Sequence, residues 1–252
     1  MDRFGLYAQY YNLLYGDKDY ASEAAYVDKL IKHYSHSATS LLNLGCGTGK
    51  HDYVLARLGY TITGVDMSQE MADQAINNIP EETRDQLSFL TGDIRNLKLG
   101  KTFDVVASLF HVISYQVSNQ DLIDAFLTAY QHLEPGGLFI FDCWYGPGVL
   151  TDPPVVRIKR ISDDSIHVTR LAEPVINSLK NTVDVNYTIL INESNSNEVT
   201  EIKEKHEMRY LFTPEIDILV KGKFNILAVN EWLTQKEPEL NTWNAVFILQ
   251  KI

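Results

Sequence analysis

Three glycines, Gly45, Gly47 and Gly49, follow directly on the apolar run Leu41-Leu42-Asn43-Leu44, and Asp66 closes the next apolar run. A strand, a glycine turn, a helix start and a second strand ending in a carboxylate put backbone N–H groups and one acid on the same edge of a parallel sheet. A nucleoside can lie there. The spacing then argues about which one. A dinucleotide fingerprint needs Gly-x-Gly-x-x-Gly, with pyrophosphate on the helix N-terminus, and position 50 is Lys. Gly-x-Gly-x-Gly gives a slightly wider turn with no phosphate to cradle. Two further places carry polar chemistry: Asp93 after Gly92, and the segment Leu109-Phe110-His111-Val112-Ile113-Ser114-Tyr115. An imidazole accepts a proton near neutral pH. A phenol does so only if its pKa is lowered.

The elements that must hold these residues follow from apolar periodicity. Residues 4–15 and 19–34 are spaced as amphipathic helices. Strands are expected at 39–45, 61–66, 87–90, 103–109 and 138–143, separated by helical stretches at 48–58, after Ser68, and at 119–133. Ser68 has the character of an N-cap. Pro135-Gly136-Gly137 reads as a helix stop. Strands alternating with helices predict a doubly wound, mostly parallel sheet. The pattern breaks between 152 and 212, where β-rich runs (155–161, 166–171, 182–191, 199–212) alternate with polar clusters. That stretch reads as an inserted antiparallel sheet. Thr213-Pro214-Glu215 is expected to restart helix, with Thr213 as N-cap. Two last strands near 226–231 and 243–251 are joined by a short link, which predicts antiparallel neighbours. The main sheet then has seven strands, in a domain of residues 1–151 and 213–252, with the antiparallel insertion at 152–212.

The 252-residue chain is long enough for one α/β domain with an insertion. Its net charge of −11 repels polyphosphate, so nucleic acid and anionic membrane are disfavoured as partners. The short basic group Arg157, Lys159 and Arg160 reads as a solvated strand face. The two cysteines, Cys46 and Cys143, form no disulfide framework. No apolar leader and no run long enough to span a bilayer is seen, so a cytoplasmic location is expected. The seven histidines are scattered without ligand spacing, and no metal site is expected.

The ordered set of Gly45-x-Gly47-x-Gly49, Asp66, Gly92-Asp93-Ile94, Ser108-Leu109-Phe110-His111 and Pro135-Gly136-Gly137 resembles the class I S-adenosylmethionine-dependent methyltransferases. A narrower likeness lies in Tyr11-Asn12-Leu13-Leu14-Tyr15, Lys18-Asp19-Tyr20, Cys46 through His51, Phe103-Asp104-Val105-Val106 and Asp142-Cys143-Trp144. With the inserted sheet, these segments are similar to bacterial N-methyltransferases of nucleotide-linked amino sugars. The resemblance implies a Rossmann-like seven-stranded sheet and S-adenosylmethionine as cofactor. It implies a small-molecule acceptor, an amine such as that of a nucleotide-linked amino sugar. The insertion would cover the acceptor and, in a homodimer, pair subunits.

The resemblance also assigns roles. Asp66 would accept from the ribose hydroxyls, and Asp93 with the Ile94 N–H would meet the adenine. Gly45, Cys46 and Gly47 would approach the cofactor through backbone alone. Tyr11 and Tyr20 would close over the methionine tail, or else serve only in packing. Met67 and Leu109 complete the cofactor set. Asn43 departs from the acid usual at its place, which bears on cofactor affinity. In the resembled enzymes a catalytic His stands where this chain has Tyr115, so His111 and Tyr115 are both candidate catalytic residues. His111 has an alternative role as a structural loop histidine. Asp142 and Trp144 would line the acceptor pocket. Two alternatives stay open: an O-methyltransferase acting on a small hydroxyl acceptor, and a nucleoside-binding module without catalysis. A dinucleotide-dependent oxidoreductase on the same sheet is a third class, opposed by Lys50.

Overall fold

The structure, a computed structural model, describes residues 10, 13–14, 16, 18–194 and 198–252. The expected helix at 4–15 falls largely outside them. The described chain runs through α1 (Tyr20–Tyr34), β1 (Ser40–Leu44), α2 (Lys50–Arg57), β2 (Thr61–Asp66), α3 (Gln69–Asn77), β3 (Leu87–Thr91), β4 (Phe103–Ser108), α4 (Asn119–Gln131) and β5 (Leu133–Trp144). There follow α5 (Gly146–Thr151), β6 (Arg157–Ser162), β7 (Ile166–Asn177), β8 (Thr182–Glu193), β9 (Val199–Arg209), α6 (Thr213–Val220), β10 (Phe224–Glu231) and β11 (Asn244–Lys251). The chain divides into two compact units, one of residues 20–152 and 209–252, the other of residues 1–19 and 153–208.

The larger unit holds a seven-stranded sheet in the order β10-β11-β5-β4-β1-β2-β3. β1 pairs in parallel with β2 and β4, and β11 runs antiparallel between β5 and β10. This is the predicted Rossmann-like methyltransferase sheet. Its central strands are apolar on both faces, as parallel strands under two helical layers must be. Successive residues point to opposite faces. Leu41, Val105, Leu138 and Ile140 therefore pack with α1, α2 and α3 through Ala24, Leu30, Leu55 and Ala75. Their neighbours Leu42, Val106, Phe139 and Phe141 pack with α4 and α6 through Phe126, Ala129 and Ile216. Phe126 meets Phe139 and Phe141 edge-on at ring distances of 5.2 and 5.1 Å. Truncating such a buried ring costs about 3–5 kcal/mol.

Two local expectations shift. Pro135-Gly136-Gly137 lies inside β5 rather than before it, because Phe103 pairs Leu133 and Val105 pairs Leu138, leaving residues 134–137 as an irregularity in the ladder. Thr213 is the first residue of α6 rather than its cap, with Pro214 in the first turn. Ser68 does cap α3, its side chain accepting from the Met71 N–H at 3.3 Å.

The smaller unit is an antiparallel sheet in the order β6-β7-β8-β9. The β7–β8 ladder runs from Ile166 opposite Glu193 to Asn177 opposite Thr182. Ile166, Val168, Ile189 and Ile191 form its core with Tyr10 and Leu14.

Candidate active site

A cavity of the larger unit lies where the parallel strands end at their C-termini. The first part of this edge is made of backbone. The β1 turn leaves the sheet with Gly45 at φ 80° and Gly47 at φ 56°. Such angles cost a side chain about 1–2 kcal/mol. At Gly45 a Cβ would also stand 2.5 Å from a methyl of Val112, so glycine is required there twice over. At Gly47 a Cβ would meet nothing within 4 Å. Glycine there keeps a stretch of backbone open to a ligand.

Asp66 ties that turn to β2. Its Oδ2 accepts from the Gly47 N–H at 2.8 Å, and its Oδ1 from the Ser68 N–H at 2.9 Å. Each oxygen keeps a second lone pair, so the carboxylate is oriented by the protein and still able to accept from a pair of hydroxyls. Beside it lies a cavity of about 360 Å³ lined by Gly45, Asp66, Met67, Asp93, Ile94 and Tyr115, with Arg95, Val112 and Gln116. The first six were expected from sequence; the last three were not. Asp93 carries a partner that sequence reasoning missed. Arg95 donates to both its oxygens, at 2.9 and 3.0 Å from Nε and 2.5 Å from Nη2, and also reaches Asp121 at 3.0 Å. The guanidinium holds the Asp93 carboxyl below the usual carboxylate range.

Four other expected residues are described and do not line this cavity. Asn43 is 2% exposed and turned into the protein. Its amide donates to Asp52 Oδ1 at 2.7 Å. Asp52 is wholly buried in the first turn of α2, its other oxygen has no hydrogen-bond partner among the described residues, and burial pushes its carboxyl up to about 7. The signal was an acid in a helix-start position, which reads as dipole stabilisation at a surface; only the fold shows it inside. Leu109 is buried in the core layer under α1 and α2. Cys46 is buried, and burial drives its thiol well above the ordinary range. Tyr20 opens α1, its ring 4.9 Å from that of His51, which is itself 2.7 Å from Glu23. Tyr11 lies outside the described residues.

The second part of the edge is made of side chains. After β4 the chain passes through Phe110 at φ 66° and His111 at φ 62°. Two consecutive residues other than glycine in the left-handed region are costly, of order 1–3 kcal/mol each, and persist only where their surroundings hold them. Asp142 on β5 is that surrounding. Fully buried, it accepts the His111 backbone N–H at 3.1 Å, and its Oδ2 lies 2.6 Å from the ring Nδ1. The ring contact is close but off the N–H axis, so it is not an aligned hydrogen bond. The imidazole is 18% exposed. Tyr115, at the end of a 3₁₀ turn from Val112, is 46% exposed and faces the cavity. Trp144 donates its backbone N–H to Ser114 Oγ at 2.9 Å, which locks this turn to β5.

Comparison with known proteins fits this construction. Residues 41–137 match the family model described as a methyltransferase domain. A dTDP-3-amino-3,4,6-trideoxy-alpha-D-glucopyranose N,N-dimethyltransferase of Streptomyces venezuelae is 31% identical over 73% of this chain and 76% of its own. A dTDP-3-amino-3,6-dideoxy-alpha-D-glucopyranose N,N-dimethyltransferase of Streptomyces fradiae is 28% identical over 85% of this chain and 81% of its own. Among solved structures, an S-adenosylmethionine-dependent methyltransferase of Clostridium acetobutylicum superposes with a TM-score of 0.80, 24% identity and 99% of both chains covered. The chain belongs to the S-adenosylmethionine-dependent methyltransferases. The residues present suit that cofactor: an open glycine turn, an oriented carboxylate and a cavity of nucleoside size. Among the described residues no helix is long and apolar enough to cross a membrane.

Proposed function

We propose that this enzyme methylates the amine of a nucleotide-linked amino sugar. Asp66 holds the ribose, the Gly45–Gly47 backbone passes beneath the methionine moiety, and Asp93 with Ile94 meets the adenine. When bound, the cofactor supplies a methyl group on a positively charged sulfur. That leaving group is already activated, so the protein's work is alignment and proton removal. An amine reaches the site largely as ammonium at neutral pH, since alkyl amines titrate near 10. It must lose a proton before its nitrogen has a lone pair to offer, and His111 is the residue that takes it. Tyr115 shapes the approach to the same place.

The observation that carries this reading is the likeness to the Streptomyces venezuelae enzyme over three quarters of both chains, whose named acceptor is a dTDP-linked amino sugar. A second support is the imidazole placed against a buried carboxylate, a base suited to an ammonium. The test is incubation with S-adenosylmethionine and a panel of dTDP-amino sugars beside their hydroxyl analogues, read by mass spectrometry. Gain of one or two methyl groups on the amines alone is expected. Methylation of only the hydroxyl analogues would overturn the amine assignment. Cofactor binding with no turnover on any acceptor would leave a nucleoside-binding module.

A further inference from the structure

We infer that Asp142 is a positioning residue for the base: it fixes the His111 ring with Nδ1–H turned inward and Nε2 presented to the acceptor. This rests on the reading above, in which His111 takes the acceptor's proton.

Four observations meet at this carboxylate. Asp142 sits on β5 between β4 and β11, opposite Val246, and is 0% exposed. A carboxylate so deep must find donors, because an unpaired buried charge is strongly unfavourable. Its Oδ1 has no hydrogen-bond partner among the described residues. Its Oδ2 serves one residue twice, accepting the backbone N–H of His111 at 3.1 Å and standing 2.6 Å from the ring nitrogen. That residue has a left-handed backbone, and so does the one before it. The backbone strain and the buried charge are each unfavourable alone. They are compatible because each supplies what the other lacks: the turn brings a backbone donor and a ring nitrogen to the carboxylate, and the carboxylate holds the turn.

The chemical consequence concerns the tautomer. A neutral imidazole carries one proton, and the hydrogen bond at one nitrogen decides which. With the carboxylate at Nδ1, the proton resides there and Nε2 keeps its lone pair. In the proton step the acceptor's N–H bond breaks and its electron pair stays on the amine nitrogen. The proton goes to Nε2, and the ring becomes imidazolium. Asp142 stays ionised throughout and faces the new positive charge. Catalytic hydrogen bonds that are poorly aligned without substrate commonly tighten in the reactive complex.

The first test needs no variant and no turnover. Nitrogen-15 NMR of the histidine rings in the cofactor-free protein, with His111 assigned by the His111→Gln spectrum, should show neutral His111 protonated at Nδ1. Protonation at Nε2 would overturn the inference whatever the enzyme methylates. The second test is a double-mutant cycle. Asp142→Asn should lower kcat on the amine acceptor about tenfold to a hundredfold, with KM for the acceptor and affinity for S-adenosylhomocysteine within about twofold. In the His111→Gln background the same change should cost nothing further. Losses that multiply, or an Asp142→Asn enzyme within twofold of the parent in kcat, would overturn it. If no amine is methylated but the ring is protonated at Nδ1, the functional reading fails while the positioning geometry stands.

Discussion

The two halves of the sheet edge are built on opposite plans. On the β1–β2–β3 side, the donor half, glycine backbone, the carboxylates of Asp66 and Asp93 and a few flanking side chains line the site. On the β4–β5 side, the acceptor half in the proposed reading, side chains would do the chemistry, and Phe110 and His111 are held in a left-handed backbone. The donor half uses its unusual backbone angles where glycine adopts them readily, at Gly45 and Gly47. The acceptor half uses them at Phe110 and His111, where a buried acid must offset the strain. A backbone cradle suits a ligand that is the same in every turnover. A side-chain constellation suits a proton that must move.

If that contrast is right, damage to the donor half should appear as lost folding or lost cofactor affinity, and damage to the acceptor half as lost turnover. The largest effect is expected at Gly45. Gly45→Ala adds left-handed strain and a clash with Val112, together about 2–5 kcal/mol. A fall in thermal midpoint and loss of measurable S-adenosylhomocysteine binding should follow. Asp66→Asn keeps the shape and removes the charge. Charge-assisted bonds to hydroxyls are each worth about 1.5–3 kcal/mol, so the same calorimetry should show a tenfold to hundredfold weaker site.

Asp52 tests the underside of the donor half. Its folded carboxyl sits at about 7 against about 4 unfolded. A raised acid favours the protonated form on folding, so stability is present below pH 4 and is lost as pH rises toward 7. Asp52→Asn should therefore leave the thermal midpoint near pH 4 almost unchanged and stabilise the protein at pH 8 by about 1–2 kcal/mol. A denaturation series across that range checks the sign. The smallest effect is expected at Tyr115. Tyr115→Phe keeps the ring against the cavity and removes the hydroxyl, and kcat should fall by less than about threefold, under about 1 kcal/mol. A fall of a hundredfold would move the base from His111 to Tyr115.

The same contrast explains what could be read from the sequence. The donor half was legible because its determinants are local: Gly45, Gly47 and Asp66 act through turn geometry and strand ends, which residue type and spacing encode directly. The seven strands of the main sheet and the antiparallel closing pair were legible for the same reason, while the order of the strands in the sheet was not. The acceptor half was legible only in part. His111 and Tyr115 stood out as groups able to accept protons, and Asp142 as a residue on the same edge. Its bond to His111 spans 31 positions and depends on β4 and β5 lying side by side. No local pattern announces that. Asn43 and Asp52 were hidden differently. Asn43 was read against the cofactor and Asp52 was not singled out at all, but the packing of α2 on the sheet turns them toward each other. Arg95 escaped notice because its value lies in tying Asp93 to Asp121, which stands 26 positions beyond Arg95.

All of this depends on the donor half holding an adenosyl donor. Calorimetric titration of the unaltered chain with S-adenosylhomocysteine measures that directly. A saturable heat with one site per chain and a dissociation constant of about micromolar order is predicted. No heat at millimolar ligand would contradict the account at its base.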